Sequence, residues 1–94
     1  MFTYIHLFKL TAEGREHLAD VSDYLEKIQT IIVGAGGTLE TTYAFMGPWD
    51  FLSIVKYPDN ETAFSVLAKI GLLEVVETET FPAETVEVFT KALV

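Results

Sequence analysis

The sequence contains no cysteine, and this absence excludes disulfide bridges, thiolate metal sites and a cysteine nucleophile. Basic residues are also scarce: 6 lysines and arginines stand against 14 aspartates and glutamates, which gives a formal net charge of −8. Nucleic acids and anionic membranes are bound by clustered basic side chains, whereas the basic residues of this chain are scattered. Neither a nucleic acid nor a membrane is therefore expected as a partner.

Long apolar runs are missing as well. No stretch of the sequence reaches the ~20 consecutive apolar residues that a membrane-spanning helix needs. The initial segment MFTYIH has neither the basic start nor the apolar core of a secretory signal. The sequence thus predicts a soluble cytoplasmic protein.

The motifs that bind nucleotides or build common catalytic sites are absent. The chain has no nucleophile elbow, no phosphate-binding loop and no dinucleotide fingerprint. The only histidines, His6 and His17, are not spaced as metal ligands, so no metal site is expected. The glycine-rich segment 34–37 follows a predicted helix, where the helix dipole disfavours an anion. No cofactor is predicted, and whether the protein is an enzyme is left open.

Hydrophobic residues, by contrast, are abundant. They make up 50% of the 94 residues, and aromatic residues alone make up 13%. This length fits one domain, residues 1–94, near the lower limit at which a single core is adequate. So small a domain cannot hide this much apolar surface by itself. Association with a second copy of the chain is therefore expected.

The spacing of apolar residues predicts four strands and two long helices, followed by a short terminal helix. The second long helix is predicted to bury Ala63, Phe64, Leu67 and Ile70, and the terminal helix to turn Val86, Phe89 and Leu93 inward. Pro82 is expected to break the last strand. The predicted strands are Phe2–Lys9, Thr38–Met46, Phe51–Tyr57 and Val75–Phe81; the helices run from about Asp20 to Gly34, from the cap at Pro58–Glu61 to Gly71, and from Ala83 to Leu93, after a helical turn capped by Thr11.

The resulting β-α-β-β-α-β order is the ferredoxin-like pattern, an α+β fold in which both helices cover one face of an antiparallel sheet. The strands that begin at Phe2 and Phe51 are apolar on both of their faces. Because two helices can cover only one side of such a sheet, the other side is predicted to pack against the sheet of a second copy.

Several short motifs, in this order and spacing, resemble the GYD-domain proteins over nearly the whole chain. They are Tyr4-Ile5, Phe8-Lys9-Leu10-Thr11-Ala12-Glu13-Gly14, Gly36-Gly37, Gly47-Pro48-Trp49-Asp50-Phe51 and Thr78-Glu79-Thr80. The resemblance implies the dimeric α+β barrel architecture and no particular activity. Trp49 stands where the Gly-x-Tyr-Asp signature has tyrosine, so a phenolic hydroxyl is not available at this position. Gly47 and Asp50 of the signature are present.

The candidate ligand-binding residues are His6, Tyr43, Trp49 and Asp50. Each has a structural alternative. Asp50 can simply accept backbone hydrogen bonds in its turn, and Trp49 can be a packing residue of the hairpin or a dimer contact. His6 can be a core imidazole satisfied by one hydrogen bond, or an acid, base or ligand contact inside the barrel.

Three functions remain open on the sequence. The first is a homo-oligomeric module of unknown physiological role that binds a small hydrophobic or aromatic ligand in each barrel interior, anchored by His6, Tyr43 and Asp50. The second, by analogy of fold, is a cofactor-independent oxygenase or isomerase with His6 or Asp50 as its base. The third is a purely structural assembly module whose apolar second face serves only oligomerisation.

Overall fold

The computed structural model describes all residues from Met1 to Val94. The chain forms an α+β domain in the predicted β-α-β-β-α-β order, with a short helix and a 3-10 turn before the first long helix and a terminal helix at the end. The strands are β1 (Phe2–Leu10), β2 (Thr38–Ala44), β3 (Phe51–Tyr57) and β4 (Val76–Ala83). The helices are α1 (Ala12–Glu16), α2 (Val21–Gly34), α3 (Asn60–Gly71) and α4 (Val86–Lys91), and the 3-10 turn spans Leu18–Asp20.

Side-chain caps define where two of these helices begin. The hydroxyl of Thr11 accepts a hydrogen bond from the backbone N–H of Gly14 at 3.1 Å, which confirms Thr11 as the cap of α1. Asp59 does the same for α3, because its carboxylate accepts from the N–H of Thr62 at 2.7 Å. Each cap satisfies a backbone donor that has no partner within the helix.

The four strands form one antiparallel sheet in the order β2-β3-β1-β4. β1 pairs with β3 and β4, so His6 lies opposite Ser53 on one side and opposite Thr80 on the other. β2 and β3 form the predicted hairpin, with an irregularity between Leu39 and Thr41. Directly opposed residues of an antiparallel pair point to the same face. This register therefore assigns each paired residue either to the face that the helices cover or to the opposite face.

The core lies between the sheet and the two long helices. α2 contributes Ile28 and Ile32, and α3 contributes Ala63, Val66 and Ile70, at the spacings of three and four residues that place side chains on one helix face. The buried hydrophobic residues outside these two helices are Tyr4, Phe8, Leu10, Val55, Tyr57, Val75 and Val76. No helix is long and apolar enough to cross a membrane.

The buried face of α3 differs from the prediction at one position. Val66 is fully buried in the stripe, whereas Phe64 is 70% exposed. Two apolar stripes lie side by side on this helix, and the series of Ala63, Val66 and Ile70 is the one that faces the sheet. Phe64 lies about 100° away from Ala63 around the helix axis and so falls on its flank. The prediction that Phe64 is buried was wrong.

The C-terminal segment also departs from the prediction. β4 runs through Pro82 to Ala83, because it is an edge strand, where a proline is tolerated. The helix that follows is shorter than predicted, and its apolar residues Val86, Phe89 and Leu93 are exposed instead of turned inward. α2 and α3 already occupy the covered side of the sheet, so α4 has no core left to pack against.

The strand β2 ends at Ala44, two residues before the predicted Met46. The N–H of Phe45 donates to the backbone carbonyl of Asp50 at 3.1 Å, and this bond closes the hairpin loop. Gly47 has a φ of 135° within that loop, in the region that favours glycine. This backbone conformation explains why a glycine stands at position 47 of the signature.

The face of the sheet opposite the helices is covered by no other element of the chain. At its centre, Ile5 and Leu7 of β1 stand beside Leu52 and Ile54 of β3, and all four are half-buried by their neighbours alone. We call this surface the open face. Charged residues at its margins include Lys9, Lys56, Glu77 and Glu79, and Lys56 forms an ion pair with Glu40 at 3.1 Å.

Candidate functional site

His6 lies at the middle of β1, on the face covered by the helices, and has no solvent-exposed surface. Its Nδ1 is 2.6 Å from the hydroxyl oxygen of Thr80, and its Nε2 is 2.7 Å from the hydroxyl oxygen of Tyr57. The imidazole therefore makes two hydrogen bonds, whereas the structural alternative, a core imidazole, needs only one. The structure places it beneath the helices and away from the open face.

Burial governs the protonation of this cluster. Loss of solvation disfavours the imidazolium and lowers the pKa of His6 to about 4, so the ring is neutral near pH 7. Burial also raises the pKa of Tyr57, which keeps its phenol protonated. A neutral imidazole donates from one nitrogen and accepts at the other. His6 can therefore donate to Thr80 while accepting from Tyr57, or donate to Tyr57 while accepting from Thr80.

His6 belongs to a row of polar side chains that crosses all the strands. The register places Thr42 of β2, Ser53 of β3, His6 of β1 and Thr80 of β4 side by side on the covered face. The hydroxyls of Thr42 and Ser53 are 2.8 Å apart and share a hydrogen bond. We call these four residues the polar row. No buried side-chain nitrogen or oxygen of the protein lacks a hydrogen-bond partner.

One end of the polar row opens into a cleft of about 250 Å³ between α3 and β4. Phe64, Leu67 and Ala63 of α3 supply its apolar wall, and Thr80 lines it from the sheet. We call this space the α3/β4 cleft. Its complete lining is Tyr4, Asn60, Ala63, Phe64, Leu67, Thr80 and Pro82.

The α3/β4 cleft continues into a wider groove of about 710 Å³ that shares Tyr4, Asn60 and Pro82 with it. The hydroxyl of Tyr4 donates a hydrogen bond to the side-chain oxygen of Asn60 where the two spaces meet. The groove carries the carboxylates of Asp59 and Glu84, and neither space is lined by a lysine or arginine. The wider part is therefore acidic and the inner part apolar.

The other end of the polar row opens into a second cleft, of about 280 Å³, between α2 and the β2–β3 hairpin. Thr42 and Ser53 lie on its floor, and Leu25, Ile28 and Ile32 of α2 contribute apolar surface. The hydroxyls of Thr42 and Ser53 already bond to each other. Ser22, Glu26 and Gln29 also line this cleft, so apolar residues are a smaller share of its lining than of the lining of the α3/β4 cleft.

Asp50 serves as a junction between three segments. Its Oδ2 accepts a hydrogen bond from the N–H of Leu10 at 2.8 Å, and the guanidinium of Arg15 forms a salt bridge with the same oxygen at 3.2 Å. Its own N–H donates to the carbonyl of Phe8 at 2.8 Å. The carboxylate thus ties the hairpin to the end of β1 and to α1. It accepts a backbone hydrogen bond, as in the structural alternative, but the donor belongs to β1 and not to its own turn.

The four predicted ligand-binding residues are not brought together. Tyr43 lies opposite Leu52, on the open face, and is 59% exposed. His6 is buried on the other face, while Trp49 and Asp50 lie at the hairpin and are both half-buried. These positions separate Tyr43 from His6 by the thickness of the sheet. None of the four lines the α3/β4 cleft or the second cleft, and His6 is connected to the α3/β4 cleft by its hydrogen bond to Thr80.

Sequence reasoning missed Thr80, Tyr57 and Phe64. The signal for Thr80 was present, because β4 reads VETETF and its threonines alternate with glutamates, so they must share the face opposite to Glu77 and Glu79. A serine at position 53 within the apolar strand FLSIVKY was a similar signal for the polar row. No group of three histidine, aspartate or glutamate side chains is placed to hold a metal ion.

Comparison with solved structures shows a shared fold. FFRP-DM1 is 17% identical over 89% of this chain and 100% of its own, with a TM-score of 0.65. TTHA0845 from Thermus thermophilus is 24% identical over 90% of this chain and 95% of its own, with a TM-score of 0.59. The 30S ribosomal protein S6 from Thermotoga maritima is 16% identical over 98% of this chain and 96% of its own, also with a TM-score of 0.59.

These structural similarities show the ferredoxin-like fold, but at such low identity they indicate no function. No curated protein sequence matches the chain. The family model described as the GYD domain, however, matches residues 4–93, which is nearly the whole chain. The motifs around Thr11, Asp50 and Thr80 that suggested this resemblance lie at the capped helix, the hairpin junction and the polar row. The protein is therefore a member of the GYD-domain family.

Proposed function

We propose that this protein is a homo-oligomeric small-molecule-binding domain. In this proposal two copies pack their open faces together, and each copy binds a small molecule with an apolar body in its α3/β4 cleft. The observation that carries the proposal is that an apolar wall meets one end of the polar row in that cleft. Ligand sites are typically concave and mostly apolar, with a few polar groups that fix orientation.

The open face supports self-association. Ile5, Leu7, Leu52 and Ile54 form a continuous apolar centre that no helix covers. Homodimer interfaces have apolar centres and polar margins, and this face has lysines and glutamates at its margins. A second copy offers a matching surface by symmetry, and both copies would remove this apolar area from water.

The position of His6 moves the proposed ligand site away from the barrel interior. The ring bonds to Thr80 on the helix-covered side, whereas Tyr43 lies on the opposite face. A volume of about 250 Å³ is slightly below the usual range of ~300–1,000 Å³ for ligand pockets, so the cleft suits a molecule of single-ring size. The adjoining groove leaves room for a substituent.

The surroundings of His6 and Asp50 give less support to a catalytic function. A general base must come within ~2.6–3.2 Å of the proton that it removes. His6 has no exposed surface, and both of its ring nitrogens are already hydrogen-bonded. Asp50 is occupied by Leu10 and Arg15. A binding role requires neither of these side chains to contact the ligand directly.

Native mass spectrometry of the protein purified without denaturation, followed by titration with uncharged single-ring compounds, tests both parts of the proposal. We expect a dimer or higher multiple that takes up one such molecule per subunit. Phe64→Ala should weaken binding because it removes part of the wall, and since Phe64 is exposed the fold should be preserved. Phe89→Ala is the matched control, since Phe89 is 67% exposed and lies outside the cleft.

Two results would contradict the proposal. A monomer would show that the open face has no partner of its own kind. A dimer that binds no compound, or that binds equally well after Phe64→Ala, would remove the α3/β4 cleft as the ligand site and favour the assembly module.

A further inference from the structure

We propose that Thr80 is the polar anchor of the α3/β4 cleft, that His6 and Tyr57 position it, and that the ligand is an uncharged single-ring molecule with a hydroxyl group. This inference rests on the proposed ligand-binding function and names the ligand class and the anchoring atom of the same site. It is carried by the chain of hydrogen bonds from Tyr57 through His6 to Thr80.

Thr80 retains hydrogen-bonding capacity beyond its bond to His6. A threonine hydroxyl has one donor and two acceptor positions, and the contact with Nδ1 uses only one of them. Thr80 is half-buried and lines the cleft, so its remaining capacity is available to a ligand there. Of the polar row, only Thr80 reaches this cleft.

The two hydrogen-bond arrangements of His6 give this anchor two modes. When Nδ1 carries the ring proton and donates to Thr80, the threonine hydroxyl can donate its own proton to a ligand oxygen. When Nε2 carries the proton and donates to Tyr57, Thr80 donates to Nδ1 and accepts from a ligand hydroxyl. The pKa of His6 keeps both modes neutral near pH 7. Binding is therefore expected to shift the balance between the two ring tautomers.

The charges around the cleft select against anions. No basic side chain lines the cleft or its groove, whereas Asp59 and Glu84 line the groove. The whole chain carries a net charge of −8, which adds to this repulsion. A carboxylate placed in the cleft would lose hydration without gaining a cationic partner. An uncharged hydroxyl group is not repelled by these carboxylates and needs no cationic partner.

The test uses two probes that differ in charge, 4-ethylphenol and 4-ethylbenzoate, with the intact protein labelled with nitrogen-15 at histidine. We expect 4-ethylphenol to bind at least about tenfold more tightly than 4-ethylbenzoate. It should shift the ring-nitrogen signals of His6, which report the tautomer balance. His17 is exposed and outside the cleft, so its signals are the internal control.

Three variants separate the anchor from the cleft itself. Thr80→Val should weaken 4-ethylphenol binding about two- to tenfold, the range expected for one hydrogen bond, and should abolish the His6 response to the probe. Thr80→Ser keeps the hydroxyl and should restore both. Thr78→Val is the matched control, because Thr78 lies on the same strand face outside the cleft.

Each outcome bears on a different part of the inference. If Phe64→Ala weakens binding but Thr80→Val does not, the anchor is wrong and the proposed function stands. If neither variant changes the affinity, the cleft is wrong and both proposals fail. If 4-ethylbenzoate binds as tightly as 4-ethylphenol, or if 4-ethylphenol does not bind at millimolar concentration, the ligand class is wrong.

Discussion

The carboxylate of Asp50 accepts a hydrogen bond from the backbone N–H of Leu10 at 2.8 Å, across 40 positions of the sequence. The signature aspartate of the hairpin thereby fixes the last residue of β1, and Arg15 of α1 contacts the same oxygen. This junction joins the hairpin to the central strand that carries His6. We therefore assign Asp50 a structural role, in which it holds the hairpin against β1 and α1.

Replacement of Asp50 by alanine should lower the free energy of unfolding by about 1–3 kcal/mol, because the buried N–H of Leu10 loses a charged acceptor. Asp50→Asn keeps an acceptor and should cost less. Equilibrium unfolding in urea measures both values. Asp23→Asn, at an exposed carboxylate of α2, is the control and should change little. Equal stability of Asp50→Ala and this control would show that the junction is dispensable.

Gly14→Ala should destabilise the fold by about 1–3 kcal/mol through overpacking. A Cβ atom at this position would lie 2.3 Å from the backbone carbonyl oxygen of Val75, so α1 and the residue before β4 would have to separate. Gly34→Ala is the matched control, since a Cβ there meets no atom within 4 Å. Urea unfolding should leave Gly34→Ala as stable as the parent or slightly more so. A harmless Gly14→Ala would contradict this close packing.

Stability should depend on pH through His6. The unfolded chain binds a proton at this histidine below its ordinary pKa of 6.5, whereas the folded protein resists protonation until about pH 4. The unfolded state therefore binds more protons in this window, and stability falls as the pH falls from 6.5 to 4. Above pH 6.5 His6 contributes no pH dependence. Over this pH range, the lowered pKa of His6 reduces the free energy of unfolding by about 3 kcal/mol in total.

His6→Gln provides the comparison for this effect, because carboxylates also titrate at low pH. The difference in unfolding free energy between the parent and His6→Gln should shrink as the pH is lowered from 7 to 4. His17→Gln, at the exposed histidine, is the matched substitution outside the core. Parallel profiles for the parent and His6→Gln would show that the folded protein accommodates the imidazolium.

Ile54→Glu should dissociate the proposed oligomer, because it places a charge at the centre of the open face. Sedimentation velocity compares its mass with that of the parent. Leu72→Glu is the control, since Leu72 is exposed at the end of α3 and lies away from the open face. An oligomer that survives Ile54→Glu would place the interface elsewhere, and the exposed apolar residues of α4 would be the next surface to test.

The fold followed from the sequence where periodicity and turn residues agreed. The bounds of β3 match the predicted Phe51–Tyr57, because a largely apolar segment lies between a glycine-proline turn and a proline. Helical faces were harder to assign. On α3, two apolar stripes were compatible with burial, and only the packing against the sheet selects Val66 over Phe64. In α4, helical spacing predicted a buried face although no core remained to bury it.

The candidate site was predictable only in part. His6 was recognised as a polar residue in an apolar strand, but its partners Thr80 and Tyr57 lie 74 and 51 positions away. Their contacts depend on strand register, which a single sequence specifies weakly when a strand is apolar on both faces. Tyr43 and Asp50 were grouped with His6 because all are polar or aromatic residues of strands or turns. The register separates them.

Amide chemical-shift mapping with 4-ethylphenol measures whether a small uncharged molecule binds in the α3/β4 cleft. We expect saturable shifts confined to the residues around Asn60, Phe64 and Thr80, with none at Tyr43 on the open face. Shifts centred on Tyr43 and Ile54, or no shifts at any probe concentration, would contradict binding in this cleft.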